Sequence, residues 1–418
     1  MNTLLLLITL LCLFIPVYVY AGYPLALWLL TLGRDKVTHR VAETRPSVAL
    51  IISCYNEAAV IRDKLENALA LDYPRDRLSI LVVSDGSDDG TDDIVKQYTE
   101  SGVELIRQEG RLGKTMGLNL AMEQVDADVT VFSDANAMYA PDAIHKLVRN
   151  FADERVGYVV GAALYTDGDS GASAKNENLY WRYELAIKSM ESRLHSVVGG
   201  DGAIYAIRSH LWQPLEQKDI NDFVNPLQII ARGYRGIFEP EAKCYEETAG
   251  EFNKELARKE RIVNRSIRGL MRVREVMNPF RTGIFSWQVI SHKLLRWLIP
   301  FFLLAGLCGS MLLSLQGPSL YTGIVAGALL VVALGFVGAL MQGAGRQPML
   351  FAVPYYFLLV NLNAMTGIVM ALSGKTQITW SSARAQGDSR GPGLRWQTVG
   401  LFVATIVLAA ALLGSLGV

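Results

Sequence analysis

Three short polar runs have the residue types to bind a nucleotide and a divalent cation: Tyr55-Asn56-Glu57, Asp85-Gly86-Ser87-Asp88-Asp89-Gly90-Thr91 and Asp134-Ala135-Asn136. Each follows an apolar run rich in β-formers, so each should sit just beyond the carboxyl end of a strand. Alone, the middle run reads equally as a glycine turn with a helix N-cap. Together, carboxylates and amide oxygens at three strand ends form a set of hard oxygen donors suited to Mg²⁺ or Mn²⁺. A fourth segment, Gly110-Arg111-Leu112-Gly113-Lys114-Thr115, ends like a phosphate-binding P-loop. It has two residues between its glycines where that loop needs four, so Lys114 is read as a cation near a pyrophosphate and not as a Walker lysine.

The elements that position these runs are legible. Val48–Ser53, Leu78–Ser84, Val103–Arg107 and Val129–Ser133 read as buried strands. Helical stretches fit at 57–70, 91–100, 114–124 and 141–150. This alternation predicts an α/β fold with a mainly parallel sheet covered by helices on both faces, whose ligands bind beyond the strands' carboxyl ends.

The charge pattern sets the surroundings. The chain has 418 residues with 40 basic and 40 acidic side chains, yet all but six of these 80 charges lie within residues 34–296. The flanks are too apolar for water, which excludes a wholly soluble or a disordered chain. No basic block points to nucleic acid. Four scattered cysteines offer neither metal spacing nor a disulfide framework. Residues 1–33 read as an N-terminal transmembrane helix and not as a cleaved leader, because Met1–Thr3 carries no Lys or Arg. Arg34, Lys36, Arg40 and Arg45 then put residues 34–277 in the cytoplasm at the cell's plasma (inner) membrane. Residues 278–296, with Trp287, His292 and Arg296, read as an amphipathic interface helix. Residues 297–345 read as two transmembrane helices separated at Gln316-Gly317-Pro318-Ser319. Residues 346–373, with Pro348, Pro354, Asn361 and Asn363, read as broken interfacial or re-entrant helix, since a crossing there would put Lys375, Arg384, Arg390 and Arg395 outside. That leaves 374–395 as a cytoplasmic loop and 396–418 as a C-terminal transmembrane helix, giving four spans; five is the alternative.

The ordered set Ser53-Cys54-Tyr55-Asn56-Glu57, Ser84-Asp85-Gly86-Ser87, Arg111-Leu112-Gly113-Lys114, Ser133-Asp134-Ala135-Asn136, Asn221-Asp222-Phe223 and Arg258-Lys259-Glu260-Arg261 resembles membrane-bound, synthase-like family 2 glycosyltransferases. Cellulose, chitin and hyaluronan synthases belong to that group. The resemblance covers residues 46–300 and implies a GT-A nucleotide-diphosphosugar transferase domain beside an α-helical transmembrane bundle with interfacial helices. It implies that Tyr55, Glu57 and Asp85 hold the uridine, with Lys114, Arg258 and Arg261 toward the diphosphate. Asp134 and Asn136 take the metal-binding Asp-x-Asp position, Asp222 is the catalytic base, and Gly200 and Asp201 meet the acceptor. Trp380 and Arg384 resemble a gating loop that closes over the nucleotide.

Three positions, 136, 258 and 262, depart from the family pattern. Asn136 stands where an aspartate is usual, which supplies an oxygen with less charge. The Gln-x-x-Arg-Trp motif survives only as Arg258-Lys259-Glu260-Arg261-Ile262, so the aromatic platform is missing. The resemblance implies transfer of a sugar from a UDP-sugar donor, with inversion and with Mg²⁺ or Mn²⁺, onto a growing extracellular polysaccharide at the lipid bilayer. Single-sugar transfer to a lipid acceptor is the rival activity, and an inactive scaffold or export subunit the rival of a different class.

Overall fold

The computed structural model describes residues 2–34, 45–166, 172–247, 252–316, 319–341, 348–375 and 393–416. Eight strands form one mixed sheet: β1 (Val48–Cys54), β2 (Leu78–Ser84), β3 (Val103–Arg107), β4 (Val129–Asp134), β5 (Met138–Tyr139), β6 (Val156–Thr166), β7 (Tyr205–Arg208) and β8 (Arg235–Glu247). Their spatial order is β3-β2-β1-β4-β7-β6-β8-β5. The first four pair in parallel, with Val48 opposite both Leu78 and Val129. β7 runs antiparallel to β4 and β6, whereas β6 and β8 are parallel.

All seven residues of β1 are buried, as expected for a strand covered on both faces. Its alternate side chains feed two cores. Leu50 and Ile52 pack with Ile61 and Leu65 on one face, while Ala49 and Ile51 share the other with Leu118, Val224 and Leu227. The four expected strands are present, and helices Ile61–Leu69, Thr91–Lys96, Lys114–Met122 and Ala143–Val148 lie inside the expected stretches. This is the expected α/β fold, with the polar runs at the carboxyl ends of β1, β2 and β4.

Among the described residues, four helices are long and apolar enough to cross a membrane: Thr3–Thr31, Ile284–Ser314, Leu320–Met341 and Met349–Leu372. Two sequence expectations change here. Residues 349–372 form one continuous helix that accommodates Pro354 in its interior, and Asn361 bonds back to the Phe357 carbonyl at 2.8 Å. Tyr355 and Leu359 pack on Ala339 near the end of its predecessor, and Ile368 and Ala371 pack on Val263, Ile267, Trp297 and Leu298. The segment expected at 396–418 is helical as Gly393–Leu416, with a shorter apolar stretch, Val399–Gly414.

The second change concerns residues 278–296. Instead of one surface helix, the chain turns at Gly283 (φ 55°) and continues from Ile284 into the apolar helix. His292, expected at headgroup level, is fully buried in a polar cluster joining the sheet domain to two apolar helices. Its Nδ1 lies 2.8 Å from Glu191 Oε1 and its Nε2 3.3 Å from Glu184 Oε2. Tyr23 donates to Glu191 at 2.5 Å, and Arg296 donates to Glu184 at 2.5 Å. Both glutamates belong to helix Ala172–Leu194. Burial opposes the charge on Glu184, but Arg296 and His292 outweigh it and hold the carboxyl well below the usual carboxylate range. The remaining Glu191 oxygen accepts the Val198 amide at 3.0 Å, so the cluster also fixes the chain entering the 199–202 turn.

Candidate active site

The loops after β1 and β2 are stitched together. Asn56 is the single non-glycine with positive φ (54°) among the described residues, a conformation that asparagine tolerates. Its amide donates to Ser87 Oγ at 3.1 Å, its Nδ2 to Asp88 Oδ1 at 2.8 Å, and its Oδ1 accepts the Asp88 amide at 3.0 Å. The Glu57 amide donates to Thr91 Oγ1 at 2.9 Å. Half-buried Tyr55 lies under the Arg111 guanidinium, 4.1 Å from its ring centre. The turn requires glycine at position 86, where φ is +72° and a Cβ would come 2.8 Å from the Gly110 carbonyl oxygen.

Asp85 is the anchor of this wall. Its Oδ1 accepts from Gln108 Nε2 (2.8 Å) and from the amides of Leu112 (2.9 Å) and Gly113 (2.8 Å). Its Oδ2 is buried without a hydrogen-bond partner among the described residues. Burial raises the Asp85 pKa, while the Gly113 and Leu112 amides and Arg111 work against that rise.

Gly113 precedes Lys114, the first residue of helix Lys114–Met122. The Lys114 ammonium pairs with Asp134 Oδ1 at the end of β4 and lies 3.5 Å from the Gly202 carbonyl. Gly202 marks where the site converges: a Cβ there would meet Asp222 Oδ2 at 3.2 Å, Lys114 Nζ at 3.5 Å and Asp134 Oδ2 at 3.6 Å. Any side chain would fill the space these three groups share. Asp222 is the second residue of helix Asn221–Ala231, and its carbonyl accepts the Gly200 amide at 2.5 Å, fixing helix to turn. Asp222 Oδ1 is buried with no partner among the described residues. Burial raises its pKa; Lys114 and Arg265 oppose this rise, and Asp201 and Asp134 add to it. Asp201 is held by Lys188 at 3.0 Å.

The structure thus brings together Lys114, Asp134, Gly200, Asp201 and Asp222, with Tyr55, Glu57 and Asp85 on the adjoining wall. Asn136 is half-buried two residues beyond Asp134. Among the described residues no group of three or more His, Cys, Asp or Glu side chains could hold a metal ion. A carboxylate and an amide oxygen at the rim still fit Mg²⁺ or Mn²⁺, which take one or two protein ligands and complete their shell with phosphates and water. Half-buried Arg261 lies on helix Phe252–Arg272; the Arg258 side chain, Trp380 and Arg384 lie outside the described residues.

Sequence reasoning missed Arg265. It donates to Thr115 Oγ1 at 3.0 Å and to the carbonyls of Lys218 (3.2 Å), Gln217 (3.3 Å) and Asp219. It thereby ties the Lys114 helix to the loop leading into Asp222. The available signal was spacing: Arg258, Arg261 and Arg265 share one helical face.

Comparison with known proteins bears on the family and the fold. Residues 49–211 match Glycosyl transferase family 2. Poly-beta-1,6-N-acetyl-D-glucosamine synthase of Staphylococcus aureus is 27% identical over 205 residues, covering 47% of this chain and 49% of that protein. The probable glycosyltransferase YdaM of Bacillus subtilis is 36% identical over 123 residues, 28% of this chain and 29% of that one. The chain therefore spans about half the length, or less, of these relatives. In three dimensions it resembles the mannosyltransferase PcManGT of Pyrobaculum calidifontis, solved with GDP-Man and Mn²⁺, with a TM-score of 0.66 and 21% identity. That match covers 88% of this chain and 99% of the other, and it establishes a shared fold.

Proposed function

Because residues 49–211 form a glycosyltransferase family 2 domain, we propose that this enzyme transfers a sugar with inversion from a UDP-sugar donor onto a growing extracellular polysaccharide. The observation carrying the reading is the convergence of Lys114, Asp134 and Asp222 around Gly202. The polymer product is supported by the synthase relative in S. aureus.

In the proposed reaction Asp222 accepts the proton of the attacking hydroxyl as oxygen bonds to the sugar's anomeric carbon, opposite the departing UDP. The bond from that carbon to the diphosphate breaks, and Lys114 and Arg261 stabilise the charge left on UDP. A divalent cation bound through Asp134 and Asn136 would supply further positive charge at the same oxygens. Raised by burial, the Asp222 pKa favours proton acceptance over that of an ordinary exposed aspartate. The Mg²⁺ or Mn²⁺ requirement, the bilayer setting and the cytoplasmic position of residues 34–277 belong to this proposal. So do the membrane crossing by the apolar helices, the loop at 374–395 and the gating role of Trp380 and Arg384.

The unpartnered Asp85 Oδ2 suits an N–H of the donor base. Asp85→Asn is expected to weaken UDP binding about 10- to 100-fold, because a charged acceptor is replaced by an amide donor. Calorimetric titration of UDP checks this; unchanged affinity would remove Asp85 from the nucleotide wall.

The whole reading is tested by UDP release from purified protein across a panel of UDP-sugars, with Asp222→Asn as control. A wild type no faster than this variant on every donor would sink the enzymatic proposal. Sizing a radiolabelled product then distinguishes polymer from lipid-linked sugar. The lipid alternative draws on one observation, Ile262 in place of an aromatic platform. A single added sugar in an organic-extractable product would favour it.

A further inference from the structure

Helix Ile61–Leu69 buries Ile61, Lys64, Leu65 and Ala68, the spacing of an apolar stripe with one lysine inside it. Lys64 has no exposed surface. Lysine is almost never fully buried without a paired charge, and the described ion pairs do not include one for Lys64. Its ammonium instead donates to the Ala137 carbonyl and lies 4.2 Å from the centre of the Tyr139 ring. Burial pushes its pKa down to about 8 against the opposing influence of Cys244, Asp134 and Glu246.

The segment it grips is the one carrying Asp134 and Asn136. One helical turn after Lys64, Asn67 clamps the same segment: its Nδ2 donates to the Tyr139 carbonyl at 2.9 Å and its Oδ1 accepts the Tyr139 amide at 2.8 Å. The Tyr139 hydroxyl closes the far side, lying 3.0 Å from the Phe132 carbonyl and 3.1 Å from the Ala203 carbonyl. Ala137 folds back onto the Asp134 carbonyl at 3.2 Å. The turn is therefore held from behind by one face of a single helix. Its front, with Asp134 and half-buried Asn136, is left to the donor.

We propose that Lys64 is a positioning residue for the donor site: it fixes the Asp134–Ala137 turn through the Ala137 carbonyl and places a positive charge behind the diphosphate position. A methionine or leucine would continue the apolar stripe at a lower desolvation cost, so stability alone gives no reason for a lysine here. This inference rests on the reading of Asp134 and Asn136 as the metal and diphosphate rim.

The test uses the full-length purified protein with Lys64→Met, which keeps the length and removes the charge. Melting temperature and Mn²⁺ affinity in the presence of UDP, measured by electron paramagnetic resonance, are read in parallel. The expected result is a melting temperature equal to or above wild type with Mn²⁺ affinity lowered about 10- to 100-fold, the range for groups that orient metal ligands. A lowered melting temperature with unchanged affinity would overturn the inference and make Lys64 a packing residue. If Lys64→Met does not fold, Asn67→Ala decides: lowered Mn²⁺ affinity supports the held turn and wild-type affinity refutes it. Wild-type protein that binds neither UDP nor Mn²⁺ would instead defeat the reading of the site itself.

Discussion

Asp222→Asn is expected to lower sugar transfer about 10³-fold while leaving UDP binding within about twofold of wild type. The magnitude is that of removing a positioned general base. The change is nearly isosteric, and the main-chain bond from the Gly200 amide to the Asp222 carbonyl does not involve the substituted atoms. The pH profile supplies the sign. A base acts when ionised, so transfer rises with pH through its pKa, and burial raises that pKa above the ordinary aspartate value. The acid limb of kcat/KM should therefore lie above the ordinary aspartate value in wild type and disappear in the variant. Equal initial rates for the two proteins on a saturating donor would assign the base elsewhere.

The second large effect is expected from Asp134→Asn: a fall in kcat of about 10²-fold or more, together with weaker Mn²⁺ and UDP binding. The substitution removes the carboxylate at the rim of β4 and leaves the partly buried Lys114 ammonium without its ion-pair partner. Charge stabilisation at a departing group commonly contributes at this scale. Titrating Mn²⁺ at fixed UDP separates its effect from that of Asp222→Asn, which should leave metal affinity intact. If Asp134→Asn lowered kcat but left metal and UDP affinity unchanged, its role would be to orient Lys114.

The parallel half of the fold was legible because strands buried on both faces read as uninterrupted apolar runs, and each ends in a polar segment that stands out. β8 was not legible. It mixes charged residues, Pro240 and apolar residues over 13 positions, and its place beside β6 depends on a pairing between residues some eighty positions apart. Among site residues, those at strand ends could be read directly. Lys64 was hidden because a lysine in a helix is ordinarily taken for the solvent face; only the spacing with Ile61, Leu65 and Ala68 marks it as buried. His292 was misread for a related reason. Beside Trp287 and Arg296 it looks interfacial, whereas the carboxylates that bury it, Glu184 and Glu191, come from about a hundred residues earlier.

The His292 cluster has a practical consequence for anyone seeking the catalytic domain as a soluble fragment. Cutting before residue 45 and after residue 283 would remove Tyr23, His292 and Arg296, and with them the helices that cover Glu184 and Glu191. The helix Ala172–Leu194 would then present to water a face, including Ile187 and Leu194, that is now packed against those helices. Because Glu191 also holds the Val198 amide, the change would reach the turn that frames Asp201 and Gly202. The sheet domain and its flanking apolar helices share one buried contact surface, so they are best produced and assayed together in detergent or lipid.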